Sequence, residues 1–205
     1  MESKIIIGGT GRAGTTLLMR IFTVAGLDTG FSERDILQVE NNEGRAGLER
    51  LPNRKNFHKL PRIIKSPMLD DKIPRILAGN WFPIGLAIIP IRNLREAAQS
   101  RVAVHERAVA EGLNPKTARG GLWKTDKIEN QHWVLAEQFY KTVQPLVEAE
   151  VPIVFVSFPK FALDFDYFDR NISSRLASDF QFSRDDLNSA YHKECKPEFV
   201  TVRPV

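Results

Sequence analysis

Lys4-Ile5-Ile6-Ile7 runs without interruption into Gly8-Gly9, and a glycine-rich turn then delivers the chain to Thr15–Val24, where Leu17, Leu18, Ile21, Phe22 and Val24 recur at helical spacing. The order is strand, glycine loop, helix. A β-branched run with no polar alternation suits a strand buried on both faces, and a strand leading at once into a helix opens a parallel sheet. This one feature restricts the chain to the α/β class, with a central, mostly parallel β-sheet flanked by helices in three layers.

Further apolar runs supply neighbouring strands: Ile84 to Ile91, Val151 to Phe158, and a shorter one at Arg62-Ile63-Ile64. Pro90 and Pro152 lack an N–H, which places them near strand ends or at breaks in the ladder. Leu94 to Val104 and Ile128 to about Val143 read as helices, the second aromatic-rich through Trp133, Phe139 and Tyr140, with Pro145 expected to end or kink it. The stretch from about Glu111 to Asp126 is either a mobile loop near a site or an ordinary surface connection. Beyond Asp169 the sequence is polar, with one further helix at Arg184 to His192. A length of 205 residues with 42% hydrophobic content suits one domain over residues 1–205.

Composition narrows function by exclusion. A net charge of +4, from 29 basic and 25 acidic residues, is too small to mark a nucleic-acid binder but suits an anionic small ligand. Cys195 stands alone, so no intramolecular disulfide forms, and His58, His105, His132 and His192 show no metal-ligand spacing; no metal is expected. No run is long enough for a membrane span, and a reducing compartment, the cytoplasm, is the expected location.

Gly9-Thr10-Gly11-Arg12-Ala13-Gly14-Thr15-Thr16 has the spacing of a phosphate loop, and the corresponding architecture is a P-loop fold. Its backbone N–H groups can converge on an anion at the positive end of the following helix. The rival reading is a plain turn with a capping threonine. ATP or GTP chemistry needs a lysine where Thr15 stands and a carboxylate at a neighbouring strand end to hold Mg²⁺. Ile84–Ile91 ends instead in Arg92, and Val151–Phe158 in Pro159-Lys160. Arg92 lies where ligands of open α/β sheets bind, and Ser100 stands two helical turns along the next helix; a guanidinium and a hydroxyl can together grip a phosphate. Two anion sites on adjacent strand ends fit a nucleotide phosphorylated at both its 5′ and 3′ positions.

On these residues the sequence resembles the PAPS-dependent sulfotransferases. Gly9 to Thr16 is similar to the family's 5′-phosphosulfate loop, and Arg92 with Ser100 eight residues later is similar to its 3′-phosphate motif. Arg12 followed by Thr-Leu-Leu-Met-Arg resembles most the tyrosylprotein sulfotransferases and their bacterial relatives. In that group a glutamate base lies 21 residues beyond the loop arginine, the position of Glu33, and a Lys-x-Pro lysine helps hold the sulfonate, the position of Lys65 in Lys65-Ser66-Pro67. The likeness extends to about Arg101.

The resemblance implies transfer of a sulfonate from PAPS to an acceptor hydroxyl by in-line displacement, with PAP as product. Glu33 is the expected general base, and Arg12 and Lys65 stabilise developing charge. Gly9, Gly11, Arg12, Ala13, Gly14, Thr15, Thr16, Arg92 and Ser100 are the expected nucleotide contacts. Glu33 has a rival reading as a solvated charge in Glu33-Arg34-Asp35, and Lys65 as a surface residue before a turn. Two other functions stay open: a P-loop small-molecule kinase using ATP, and a non-catalytic nucleotide-binding protein of the same fold. The acceptor and the oligomeric state are undetermined.

Overall fold

In the computed structural model, which describes residues 2–42 and 44–197, the four apolar runs become the strands β1 (Lys4–Ile7), β2 (Ile63–Lys65), β3 (Ile84–Ile91) and β4 (Ile153–Ser157). They form one sheet in the order β2-β1-β3-β4, and every neighbouring pair is parallel. The strand that feeds the glycine loop therefore lies inside the sheet. Ile7 stands opposite both Lys65 and Ile88, so β1 and β2 end level while β3 continues to Ile91. Pro90 lies beyond the β1 ladder, and Pro152 precedes β4 and keeps its carbonyl in use by accepting from Ala87 N at 2.9 Å.

Nine helices pack around the sheet among the described residues: α1 (Thr15–Val24), α2 (Glu33–Glu40), α3 (Leu69–Ala78), α4 (Leu94–Ala110), α5 (Gln131–Glu148), α6 (Lys160–Leu163), α7 (Phe165–Phe168), α8 (Ser174–Phe180) and α9 (Arg184–Glu194). Strand side chains alternate between faces, and the core divides accordingly. Ile5, Ile7, Ile63, Leu86 and Ile88 pack with Leu18, Phe22, Ile36, Phe161, Phe168, Leu176 and Leu187. Ile6, Ile64, Ala87 and Ile89 pack with Leu69, Ile73, Ile76 and Leu146. The result is three layers, with α1, α2 and α6–α9 on one face and α3 and α5 on the other. Each fully buried isoleucine contributes about 1.5–3 kcal/mol relative to exposure.

Several boundaries differ from the sequence reading. β4 is shorter than Val151–Phe158, and β2 is shifted by one residue. α4 runs six residues past Val104. α5 begins at Gln131, after a single 3₁₀ turn at Ile128–Asn130, and continues through Pro145 to Glu148. Pro145 sits in the last turn, where its carbonyl still accepts from Ala149 N at 3.1 Å, so its missing N–H costs one bond and not the helix. The polar tail is also structural: Ile172, Leu176, Leu187 and Tyr191 are buried in the same core as α1. No helix among the described residues is long and apolar enough to cross a membrane.

Candidate functional site: a cationic cavity at the strand ends

The loop between β1 and α1 owes its shape to three left-handed residues, Gly9 (φ +98°), Arg12 (φ +68°) and Gly14 (φ +83°). Glycine relieves the strain at two of them; Arg12 bears it, a conformation that side chains adopt only where surrounding contacts hold them. Gly14 is needed for space as well, since a Cβ there would lie 2.5 Å from Phe158 and 2.7 Å from Phe161. No side chain caps α1 at Gly14. The first-turn N–H groups are thus left without a side-chain acceptor at the positive helix end, an arrangement that attracts anions.

Arg12, Arg92 and Ser100 meet at this loop from two elements. Arg12 Nε donates to Ser100 Oγ at 3.0 Å, and Arg12 Nη1 donates to Gly44 O. Arg92 follows the last residue of β3; its Nη1 donates to Arg12 O at 3.1 Å, its Nε pairs with Glu96 at 3.3 Å, and its guanidinium lies over the Phe158 ring, 5.3 Å from the centroid. Asn93 caps α4 by accepting from Arg95 N and Glu96 N, which starts the helix at Leu94 and sets Ser100 beside the loop. Burial pushes the Arg12 guanidinium down to about 10, with repulsion from Arg92 and Arg107 adding to it.

Lys65 ends β2 beside the same loop and is buried. Its Nζ donates to Thr16 Oγ1 at 3.0 Å and Gly47 O at 2.5 Å, and pairs with Glu49 Oε1 at 3.3 Å. Burial holds this amine below the usual lysine range, against the opposing pull of Glu49. Lys65 is therefore no surface residue: the strand end directs it inward, between the loop hydroxyl and a carboxylate.

The segment from Lys116 to Trp123, within the stretch read as a loop near a site or a surface connection, lines the cavity. It presses closely on the rest of the site. A Cβ on Gly44 would lie 1.8 Å from Arg119 O, and one on Gly120 would lie 2.8 Å from Arg12 Nη1. Two anchors hold it there. Gln131 accepts from Trp123 N at 2.6 Å and donates to Trp123 O at 3.2 Å, and Lys124 pairs with Asp70 at 2.9 Å and Asp71 at 3.1 Å.

Together these elements enclose about 380 Å³ at the carboxyl ends of the strands. Gly9, Gly11, Arg12, Gly14, Thr15, Thr16, Lys65, Arg92 and Ser100 all line it. Ala13 does not: it is fully buried beneath the loop. Glu33 does not either. It is the first residue of α2, its side chain is 68% exposed, and it pairs with Lys193 at 3.2 Å. Among the described residues two carboxylates line the cavity, Glu49 and Glu194. Glu194 is buried against Arg20, which also binds Glu40, whereas Glu49 keeps 38% of its side chain exposed.

Sequence reasoning left Arg45, Arg119 and Glu49 without a role, and placed Arg101 with Arg95 and Arg107 on a basic surface around the nucleotide without assigning it a contact. For Arg101 a signal existed. Ala97, Arg101, Val104 and Ala108 share the buried stripe of α4, and a charge on such a stripe needs a reason. The other three lie in loops, where no periodicity points to a site.

The fold and site define an α/β protein with a cation-lined cleft at the carboxyl ends of parallel strands: among the described residues, nine lysines and arginines line it against the two carboxylates. Comparison with protein-family models, with curated proteins and with solved structures finds no match to this chain. No group of three or more His, Cys, Asp or Glu that could hold a metal occurs among the described residues.

Proposed function

We propose that the chain is a PAPS-dependent sulfotransferase, moving a sulfonate from PAPS to an acceptor hydroxyl. The observation that carries this reading is the convergence of the glycine loop, Arg92 with Ser100, and Lys65 on one cationic cavity. A dianionic 5′ end and a 3′ phosphate need two cationic grips within one nucleotide's reach, and the loop and the β3 end supply them. The ATP alternative is weakened by the same geometry. Thr15 stands where a kinase lysine belongs, and the β3 end offers an arginine where Mg²⁺ would need a carboxylate.

In the proposed reaction the acceptor oxygen attacks sulfur, the bond from sulfur to the phosphate oxygen breaks, and PAP leaves with the electron pair. Arg12 and Lys65 neutralise charge on the leaving oxygen and the sulfonate oxygens, which is where preorganised cations help most. The acceptor proton passes to a carboxylate within hydrogen-bond reach. Two candidates exist: Glu33, which the 21-residue offset from Arg12 singles out, and Glu49. Geometry favours Glu49, since it lines the cavity and touches Lys65.

Calorimetric titration with PAP, against ATP plus Mg²⁺, tests the reading. Metal-independent micromolar binding of PAP that collapses in Arg92→Ala is expected; preferential Mg²⁺-dependent binding of ATP would overturn it. PAP binding without sulfonate transfer to any acceptor would favour a non-catalytic nucleotide-binding protein.

A further inference from the structure

We infer that Arg101 is an additional anion-binding residue of this cavity, a buried guanidinium kept for a phosphate or sulfonate oxygen that approaches the loop at Gly11. The inference rests on the reading of the cavity as a nucleotide site, and it adds a contact that neither the loop nor the Arg92/Ser100 pair supplies.

Arg101 is 4% exposed and lines the cavity, on a stripe of α4 otherwise made of Ala97, Val104 and Ala108. Its Nη1 donates to Gly121 O at 2.7 Å, while its buried Nε has no hydrogen-bond partner. The ring of Trp123 lies 5.9 Å from its Cζ. No carboxylate forms an ion pair with it among the described residues, and the like charge of Arg12 acts on it more strongly than the opposing pull of Glu49. Burial first, and Arg12 second, push it down to about 10, which still leaves it charged at neutral pH.

A charge in this setting is costly to the folded chain, because burial strips most of its water and, among the described residues, the pull of Glu49 offsets only part of that loss. A structural arginine would be expected to satisfy its fork within the protein; this one holds a donor in reserve beside an anion loop. Gly11 fits the same account. Its φ is unexceptional, yet a Cβ there would lie 1.9 Å from Arg101 Nη2, so the loop closes on Arg101 only because residue 11 has no side chain. An anion in the loop would bring a close counter-charge and accept from Nη2, the guanidinium atom that faces Gly11, converting a destabilising group into a binding one.

The test measures PAP and inorganic pyrophosphate affinity by calorimetry, and ligand-free thermal midpoints, for wild type, Arg101→Gln and Arg101→Lys. Arg101→Gln should lose at least about tenfold in affinity for an anion that wild type binds, the worth of a charge-assisted hydrogen bond, with a ligand-free midpoint equal to or above wild type. Affinity within about twofold of wild type, or a lowered ligand-free midpoint, marks a structural strut and overturns the inference. Should Arg101→Gln not fold, Arg101→Lys decides: it keeps the charge but not the planar fork, and unchanged affinity in it overturns the inference. Wild type that binds pyrophosphate but not PAP, with the loss in Arg101→Gln intact, removes the sulfotransferase reading and leaves this one standing. Wild type that binds neither overturns both.

Discussion

Arg12 Nε donates to Ser100 Oγ at 3.0 Å, joining the glycine loop to α4 across 88 residues of sequence. The two halves of the proposed nucleotide site are thereby one hydrogen-bonded unit, since Arg92 also donates to the carbonyl of Arg12. Ser100→Ala should weaken PAP binding by roughly three- to tenfold, as for an ordinary hydrogen bond worth about 0.5–1.5 kcal/mol, and Arg12→Ala by more, because hydrogen bonds from a charged group are worth about 1.5–3 kcal/mol. The two should not add. A double-mutant cycle read by calorimetry should return a coupling of about 0.5–3 kcal/mol, and additive losses would show that the two groups act separately.

Glu33 and Glu49 separate the two candidates for the base. In sulfonate transfer from PAPS, Glu49→Gln should lower kcat by roughly 10²-fold or more with PAP affinity nearly kept, the usual worth of a positioned base. Glu33→Gln should leave kcat within about twofold, as expected for an exposed residue paired with Lys193. The reverse pattern would return the role to Glu33 and imply that α2 moves.

Lys65 gives the binding a pH dependence of defined sign. Burial depresses its amine in the ligand-free protein, and a bound anion beside Thr16 restores the charged form, so the complex holds more proton than the free protein. PAP affinity should therefore fall as pH rises from the lowered value towards 10.5, and binding there should take up protons. Calorimetry in buffers of different ionisation enthalpy measures the uptake. Lys65→Met should abolish this uptake; its persistence would assign the proton to another group.

Arg20 is the stability counterpart of the site. It leaves α1 to bind Glu40 of α2 and Glu194 of α9, the latter at 2.6 Å with both partners buried. Arg20→Met would leave Glu194 buried without a cation, which should cost about 3–5 kcal/mol in chemical denaturation. Arg20→Met with Glu194→Leu should recover most of that loss, since the cost comes from the unpaired charge and not from the missing bridge.

Local order was legible in the sequence. α1 at Thr15–Val24 and β3 at Ile84–Ile91 follow from apolar periodicity and run length alone, and Arg92 falls at the end of its strand because Asn93 must cap the next helix. The cluster of Arg12, Arg92 and Ser100 was foreseeable to the same degree, since strand ends of a parallel sheet gather at one edge. Sequence spacing, however, measures distance along the chain. It singled out Glu33 by its offset from Arg12, but the direction of α2 decides where that side chain points, and α2 points it at solvent beside Lys193.

Which loops close over the strand ends was settled by packing between distant segments. Arg119 sits in a segment without periodicity, brought against Gly44 and Arg12 by close approach at Gly44 and Gly120 and by the anchors on Trp123 and Lys124, and Glu49 enters the cavity from a second such segment, where it pairs with Lys65. Burial of Arg101 is likewise a packing outcome: the α4 stripe announces that the residue faces inward, and only the meeting of α4 with Gly11 and Gly121 makes it a caged charge. Strands, helices and the loop at the sheet edge are readable from residue order alone, because these depend on contacts a few residues apart. The composition of the cavity wall depends on contacts between segments far apart in the chain, and those exist only once the three layers have packed.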